Sequence, residues 1–166
     1  MARDFSDTTV ILTGASMGVG AATARAFAAL GANLVLIARG RDKLEALAAE
    51  LERDFGNREQ VMIEVLDVTD LEGFGALLER VRTRFGSIDV LVNNAGLHAR
   101  GAVASVAAAD IGRMVDVNFK APLMATRMVL PDLQQSQRPA VINVASLAGR
   151  TPVPGSATYS ATKFGL

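Results

Sequence analysis

Apolar and polar positions alternate along this chain in two rhythms. Short unbroken apolar runs recur as TTVILT (8–13), NLVLIA (33–38), QVMIEVL (60–66), IDVLV (88–92) and AVINVA (140–145). Runs of this length, rich in aliphatic and β-branched residues, predict strands buried on both faces. Between them lie longer stretches with apolar residues at helical spacing. Gly18 to Leu30 is an alanine-rich helix, and a second helix is predicted with Asp42 as its cap and Leu44, Leu47, Ala48, Leu51 and Phe55 on one face. Asp70 caps a third, with Leu71, Phe74, Leu78, Val81 and Phe85 inward, and a fourth runs from about Ala107 to Leu133. Repeated strand–helix–strand units mean a parallel sheet with helices on both faces, so the fold class is α/β, doubly wound.

Composition narrows the choice of partners. A chain of 166 residues, half of them apolar, supports one domain with a real core. Its 17 acidic and 17 basic residues balance, which argues against a nucleic-acid or anionic-membrane surface. No apolar run approaches the ~20 residues that cross a bilayer. The absence of cysteine removes thiol nucleophiles and thiolate metal sites, and it suits a reducing cytoplasm. With a single histidine, His98, no metal site is expected.

In a doubly wound sheet, ligands bind beyond the carboxyl ends of the strands. Here the segments that follow the strands carry TGASMGVG (13–20), Arg39, Asp67 with Val68, NNAG (93–96) and Ser146. In the first of these, Gly14 permits a tight turn, Gly18 lets a phosphate approach the backbone, and Gly20 lets helix and strand pack closely. The helix start that follows offers free N–H groups to a pyrophosphate, and Ser16, Met17 and Val19 fall in the same segment. The spacing is G-x-x-x-G-x-G rather than G-x-G-x-x-G, so an ordinary glycine turn is the competing reading; the strand–turn–helix context favours the phosphate site. After the second strand the chain has Ala38 and Arg39, with Arg41 and Lys43 close behind, where an NAD enzyme usually carries a carboxylate. A guanidinium with no repelling acid favours NADP(H), with NAD(H) still possible. Asp67 is a candidate acceptor for the adenine amino group.

Near the end of the chain, Tyr159 and Lys163 are four residues apart, so a helix would place them on one face. A free phenol is a poor base at neutral pH, and a lysine one turn away together with a helix start favours phenolate. Tyr159 is the only tyrosine, and Ser146, 13 residues earlier, is placed to hydrogen-bond a substrate carbonyl. A lone pair of this kind would otherwise read as a surface helix pair. Pro122 has no N–H, and in a helix that N–H would have bonded to the carbonyl of Asn118. The expectation is a kink there, with the Asn118 carbonyl free to hold a water in a proton route from Lys163.

Together, TGASMGVG, the DV of 67–68, NNAG, Asn118, Ser146 and YSATK at 159–163 resemble the short-chain dehydrogenase/reductase family, in the family's order and over nearly the whole chain. The resemblance implies a Rossmann-like NAD(P)-binding domain over residues 1–166, with strand order 3-2-1-4-5 for the part present. It implies hydride transfer between a nicotinamide and a small-molecule carbonyl or alcohol. Tyr159 is then the general acid/base, Lys163 lowers its pKa and holds the nicotinamide ribose, Ser146 positions the substrate oxygen, and Asn118 completes the relay. Gly14, Ser16, Met17, Gly18, Val19, Gly20, Arg39, Asp67, Val68, Asn94, Ala95 and Gly96 line the cofactor, with Tyr159 and Lys163 at its nicotinamide end. ARGRDKL looks like the family's NADP-preferring type. Family members continue past the Tyr–Lys pair with further strands and a substrate-covering segment, and they form homo-oligomers. The chain is therefore expected to be the N-terminal part of a longer protein, with its fifth strand as an exposed edge.

Two rival readings compete with this one. A hydrolase would join Ser146, His98 and an aspartate, but VASLA is not a G-x-S-x-G elbow. His98 is read instead as an exposed loop residue, or at most a substrate contact. A non-catalytic NADP-binding module remains the alternative to an enzyme.

Overall fold

The computed structural model describes residues 4–56 and 58–166. The five apolar runs form β1 (Thr9–Thr13), β2 (Asn33–Ala38), β3 (Val61–Val65), β4 (Val90–Asn93) and β5 (Ala140–Asn143), all parallel, in the order β3-β2-β1-β4-β5. The doubly wound α/β fold and its strand order are as expected. Register follows the apolar runs: Val10 pairs with Leu34 and Val90, and Ile11 with Val35 and Leu91.

Because successive strand residues face opposite sides, each strand feeds two cores. Val10, Leu12, Leu34, Leu36, Val90 and Val92 face Ala24, Ala28, Leu44, Leu47 and Leu51. These come from α1 (Gly18–Ala28) and α2 (Arg41–Phe55). Ile11, Val35, Ile37 and Leu91 pack on the other side against Phe74, Leu77, Leu78, Val81, Val129 and Leu133. Those belong to α3 (Leu71–Phe85) and α5 (Ala121–Leu133).

Local structure corrects three expectations. Asp42 does not cap α2: the helix begins at Arg41 after Gly40, with no side-chain cap, and Asp42 lies in its first turn, where a carboxylate complements the helix dipole. Phe55 has the right angle on the helix, but it is the last residue of α2 and 42% exposed, so the core ends a turn before it. The fourth helix is divided into α4 (Ala108–Val115), a π turn at Asp116–Lys120, and α5. In that turn the Ala121 N–H bonds to the Asp116 carbonyl. Pro122 stands where its missing N–H would have closed an α turn on Asn118, and the wider register is how the helix passes it. Asp70 does cap α3, its carboxylate accepting the Gly73 N–H at 2.9 Å.

Two further features frame the site. At the amino edge of the sheet, buried Asp89 accepts from the Thr9 N–H at 2.8 Å, Ser87 Oγ at 2.7 Å and Ser136 Oγ at 2.6 Å, and its own carbonyl accepts the Ala140 N–H at 3.0 Å. One residue thus ties β1 and β4 to the entry of β5. At the sheet's side, β5 exposes Val141 (37%) and Ile142 (43%), the open apolar edge that the sequence predicted. After β5 come a short 3-10 turn at Leu147–Gly149 and α6 (Ala157–Gly165). Among the described residues, no helix is long and apolar enough to cross a membrane.

Candidate functional site

A cleft of about 580 Å³ opens at the carboxyl edge of the sheet. Gly14, Ser16, Met17, Arg39, Asp67, Val68, Asn94, Ala95 and Gly96 line it, nine positions proposed from sequence that come from four different strand ends. Ala38, Leu66, Leu97, Arg113 and Val117 also line it, and the sequence did not single these out as cofactor contacts. Gly18, Val19 and Gly20 are not among the lining residues; they form the first turn of α1, just beyond Met17.

The glycines answer to geometry. Gly14 has φ +65°, and a Cβ there would stand 2.8 Å from Ala95 Cα. A Cβ on Gly20 would meet the Gly14 carbonyl oxygen at 2.2 Å and Asn94 Nδ2 at 2.6 Å, so helix start and turn touch at backbone distance. Gly18 also has positive φ, and a Cβ there would meet open space.

Thr13 and Asn94 lock this turn to β4. Asn94 Nδ2 donates to the carbonyls of Thr13 (3.0 Å) and Gly14 (2.9 Å), and the N–H groups of Asn94 and Ala95 donate to Thr13 Oγ1 at 3.0 and 3.1 Å. Asn93 donates to Asn143 Oδ1 at 2.9 Å, bracing β4 against β5. Thr13 was visible as the first letter of TGASMGVG, but nothing in a sequence says that its hydroxyl holds two N–H groups 81 and 82 residues away.

At the other end of the cleft, Asp67 lies between Arg39 and Arg113. Burial pushes its carboxyl up, but bonds from the Thr69 N–H (3.1 Å) and hydroxyl (2.8 Å), with the charges of Arg113 and Arg39, outweigh this and hold it below the usual value. Arg113 reaches Asp67 Oδ2 at 3.4 Å.

A second group gathers around Gly96. A Cβ built on this residue would lie 3.7 Å from Asn118 Oδ1 and 3.8 Å from Lys163 Nζ. Lys163 is buried and donates to the Val144 carbonyl at 2.9 Å; burial lowers its pKa. The fully buried Asn118 amide accepts the Leu97 N–H at 2.7 Å, and its Nδ2 donates to the Leu97 carbonyl at 2.8 Å and to Thr162 Oγ1 at 3.2 Å. Thr162 in turn donates to the Tyr159 carbonyl at 2.7 Å.

The loop after β4, the π turn and α6 are therefore joined through one asparagine. Ser146 accepts the Ala148 N–H at 3.2 Å and starts the 3-10 turn, which packs on α6 at Gly149. Ser146 and Tyr159 share no hydrogen bond among the described residues. His98 is exposed in its loop, as expected, yet its ring lies 4.3 Å from that of Tyr159, centroid to centroid. Only its position after a strand end could have flagged it.

A parallel doubly wound sheet whose carboxyl edge opens onto a glycine-bounded cleft defines a Rossmann-like domain. Residues 8–166 match the short chain dehydrogenase family, and the chain belongs to that family. It is 38% identical over 164 residues to an uncharacterized oxidoreductase of Staphylococcus saprophyticus, covering 99% of this chain and 65% of the relative. Two further curated relatives are spanned over 54% and 68% of their own lengths. A metagenomic short-chain oxidoreductase solved in complex with NADP superposes with TM-score 0.90 at 36% identity, over 98% of this chain and 72% of that one. L-sorbose reductase from Gluconobacter frateurii, solved with NADPH and L-sorbose, superposes with TM-score 0.91 at 33% identity, over 99% and 62%.

Proposed function

We propose that this chain is the cofactor-binding part of an NADP(H)-dependent oxidoreductase that interconverts a carbonyl and an alcohol. The observation that carries the reading is the convergence at Gly96 of a buried lysine ammonium and a buried asparagine amide, on the segment that closes the cleft. Residue chemistry fits a nicotinamide dinucleotide. Gly18 leaves backbone open at a helix start, and the tight turn at Gly14 leads into it, which suits a pyrophosphate. Arg39 lines the cleft beside Ala38, where a carboxylate would select NAD, so it suits a 2′-phosphate. That two solved relatives hold NADP or NADPH supports the same choice.

When bound, the nicotinamide supplies or accepts the hydride. The chain's own residues hold it and handle the proton. Lys163 would hold the ribose, Tyr159 Oη would exchange the proton with the substrate oxygen, and Ser146 would orient that oxygen. The Asn118 carbonyl, in the π turn forced by Pro122, holds the water through which the proton reaches solvent. A Tyr159 hydroxyl on a helix whose next turn carries a lysine is the arrangement that general acid–base work at a carbonyl needs.

Two substitutions test the two halves of the proposal. Arg39→Ala should weaken NADPH binding by about 10- to 100-fold, the worth of a charged hydrogen bond, and leave NADH unchanged. A titration followed by nicotinamide fluorescence reads this directly, and equal losses for both cofactors would remove Arg39 from the 2′-phosphate. Tyr159→Phe should keep NADPH binding and abolish NADPH oxidation with 2,3-butanedione as the carbonyl probe. Undiminished oxidation would end the catalytic reading.

A further inference from the structure

Ser156 stands at the N-cap of α6, where a serine hydroxyl normally accepts an N–H of the first turn. Here it makes no such bond. The side chain, 3% exposed, turns away from its own helix and shares a 3.1 Å hydrogen bond with His98 Nε2. The imidazole held in this way lies against the Tyr159 ring, with 4.3 Å between centroids and 31° between planes.

His98 cannot drift easily, because its neighbours are tied on both sides. Leu97 exchanges two hydrogen bonds with the Asn118 amide, at 2.7 and 2.8 Å, and the Gly101 N–H donates to the Gly155 carbonyl at 2.8 Å. The loop after β4 is thus sewn to the segment that leads into α6, and the single ring it presents there meets Tyr159. A half-buried phenol has several staggered orientations open to it, and an aromatic ring packed this close at a tilt removes most of them.

We infer that His98 is a positioning residue for Tyr159: anchored on Ser156, its ring fixes the orientation in which the phenol meets a substrate oxygen. The role rests on the reading of Tyr159 given above, but the contact can be tested without turnover. Tyr159 is the only tyrosine and the chain has no tryptophan, so the tyrosine band in near-ultraviolet circular dichroism reports this one ring.

The test compares His98→Ala, His98→Phe and Ser156→Ala with the unsubstituted chain, with far-ultraviolet spectra to confirm folding and NADPH titration as a control outside the contact. Expected are loss of the tyrosine band in His98→Ala, rescue of most of it in His98→Phe, and a weakened band in Ser156→Ala, where the imidazole stays but its anchor is gone. NADPH affinity should not change. A band that survives unaltered in both His98→Ala and Ser156→Ala overturns the inference, as does an unsubstituted chain without the band. If His98→Ala fails to fold, the other two substitutions decide: an unaltered Ser156→Ala band overturns it, and a weakened one with a retained His98→Phe band supports it. Failure of the catalytic reading would show separately, as NADPH oxidation that survives Tyr159→Phe.

Discussion

The two sides of the sheet's carboxyl edge are built on different terms. Toward β2, β1 and β2 are buried almost throughout, and the turn after β1 is packed at backbone distance: at Gly14 and Gly20 there is no room for a side chain, and Asn94 bonds the turn to β4. Toward β5, the strand is exposed along most of its length, and Lys163 and Asn118 are held from a short helix and a π turn by polar contacts. Core packing sets the shape of the first side, while hydrogen bonds to Leu97, Val144 and Thr162 set the second. Steric change should therefore damage the β2 side, and truncation of apolar groups should barely be felt at β5.

The largest difference is expected between paired neighbours in one register. Leu91, fully buried on β4, sits opposite Val141 on β5. Leu91→Ala should cost about 3 kcal/mol in urea unfolding, and Val141→Ala less than about 1 kcal/mol. Equal losses would mean that β5 is covered in solution and that the contrast is false.

Gly20→Ala comes next. A methyl there must displace the Gly14 carbonyl, a backbone atom, so a loss of about 2 kcal/mol is expected even though alanine favours helix. Weaker NADPH binding should accompany it, and an unchanged midpoint would show that the turn yields.

The smallest effect lies on the β5 side. Burial lowers the Lys163 pKa, so in the window from that lowered value up to the ordinary lysine value the unfolded chain binds the extra proton and stability rises with pH. Lys163→Met should remove a small rise confined to the pH range just below the ordinary lysine value of about 10.4. A slope that survives the substitution belongs to another group.

What could be read from the chain follows the same division. The strands were legible because buried parallel strands write themselves as apolar runs, their order only through the family resemblance, and the glycine turn because its residues are constrained locally. Asp70 was legible as a cap, but Asp42 was misread, since an acid near a helix start fits either the cap or the first turn and only the backbone decides. The break at residues 116–120 was foreshadowed by Pro122, although the proline could not say whether the helix would bend or widen. Arg113, Leu77 and Val117 are ordinary residues of helical segments, and what they line or fill depends on how those helices lie on the sheet. His98 was seen as a loop residue because its partner, Ser156, lies 58 residues away.

Asp89 sits at the far edge from all of this chemistry, gathering the starts of β1 and β4 and the approach to β5 on one carboxylate. In evolutionary terms it makes the sheet a chassis. The loops at the opposite edge take no part in these bonds, so the alignment Asp89 gives the strands does not depend on them. The same asymmetry makes residue 89 a poor place for variation: a change there would disturb at once the strands that carry the loops after β1, β4 and β5.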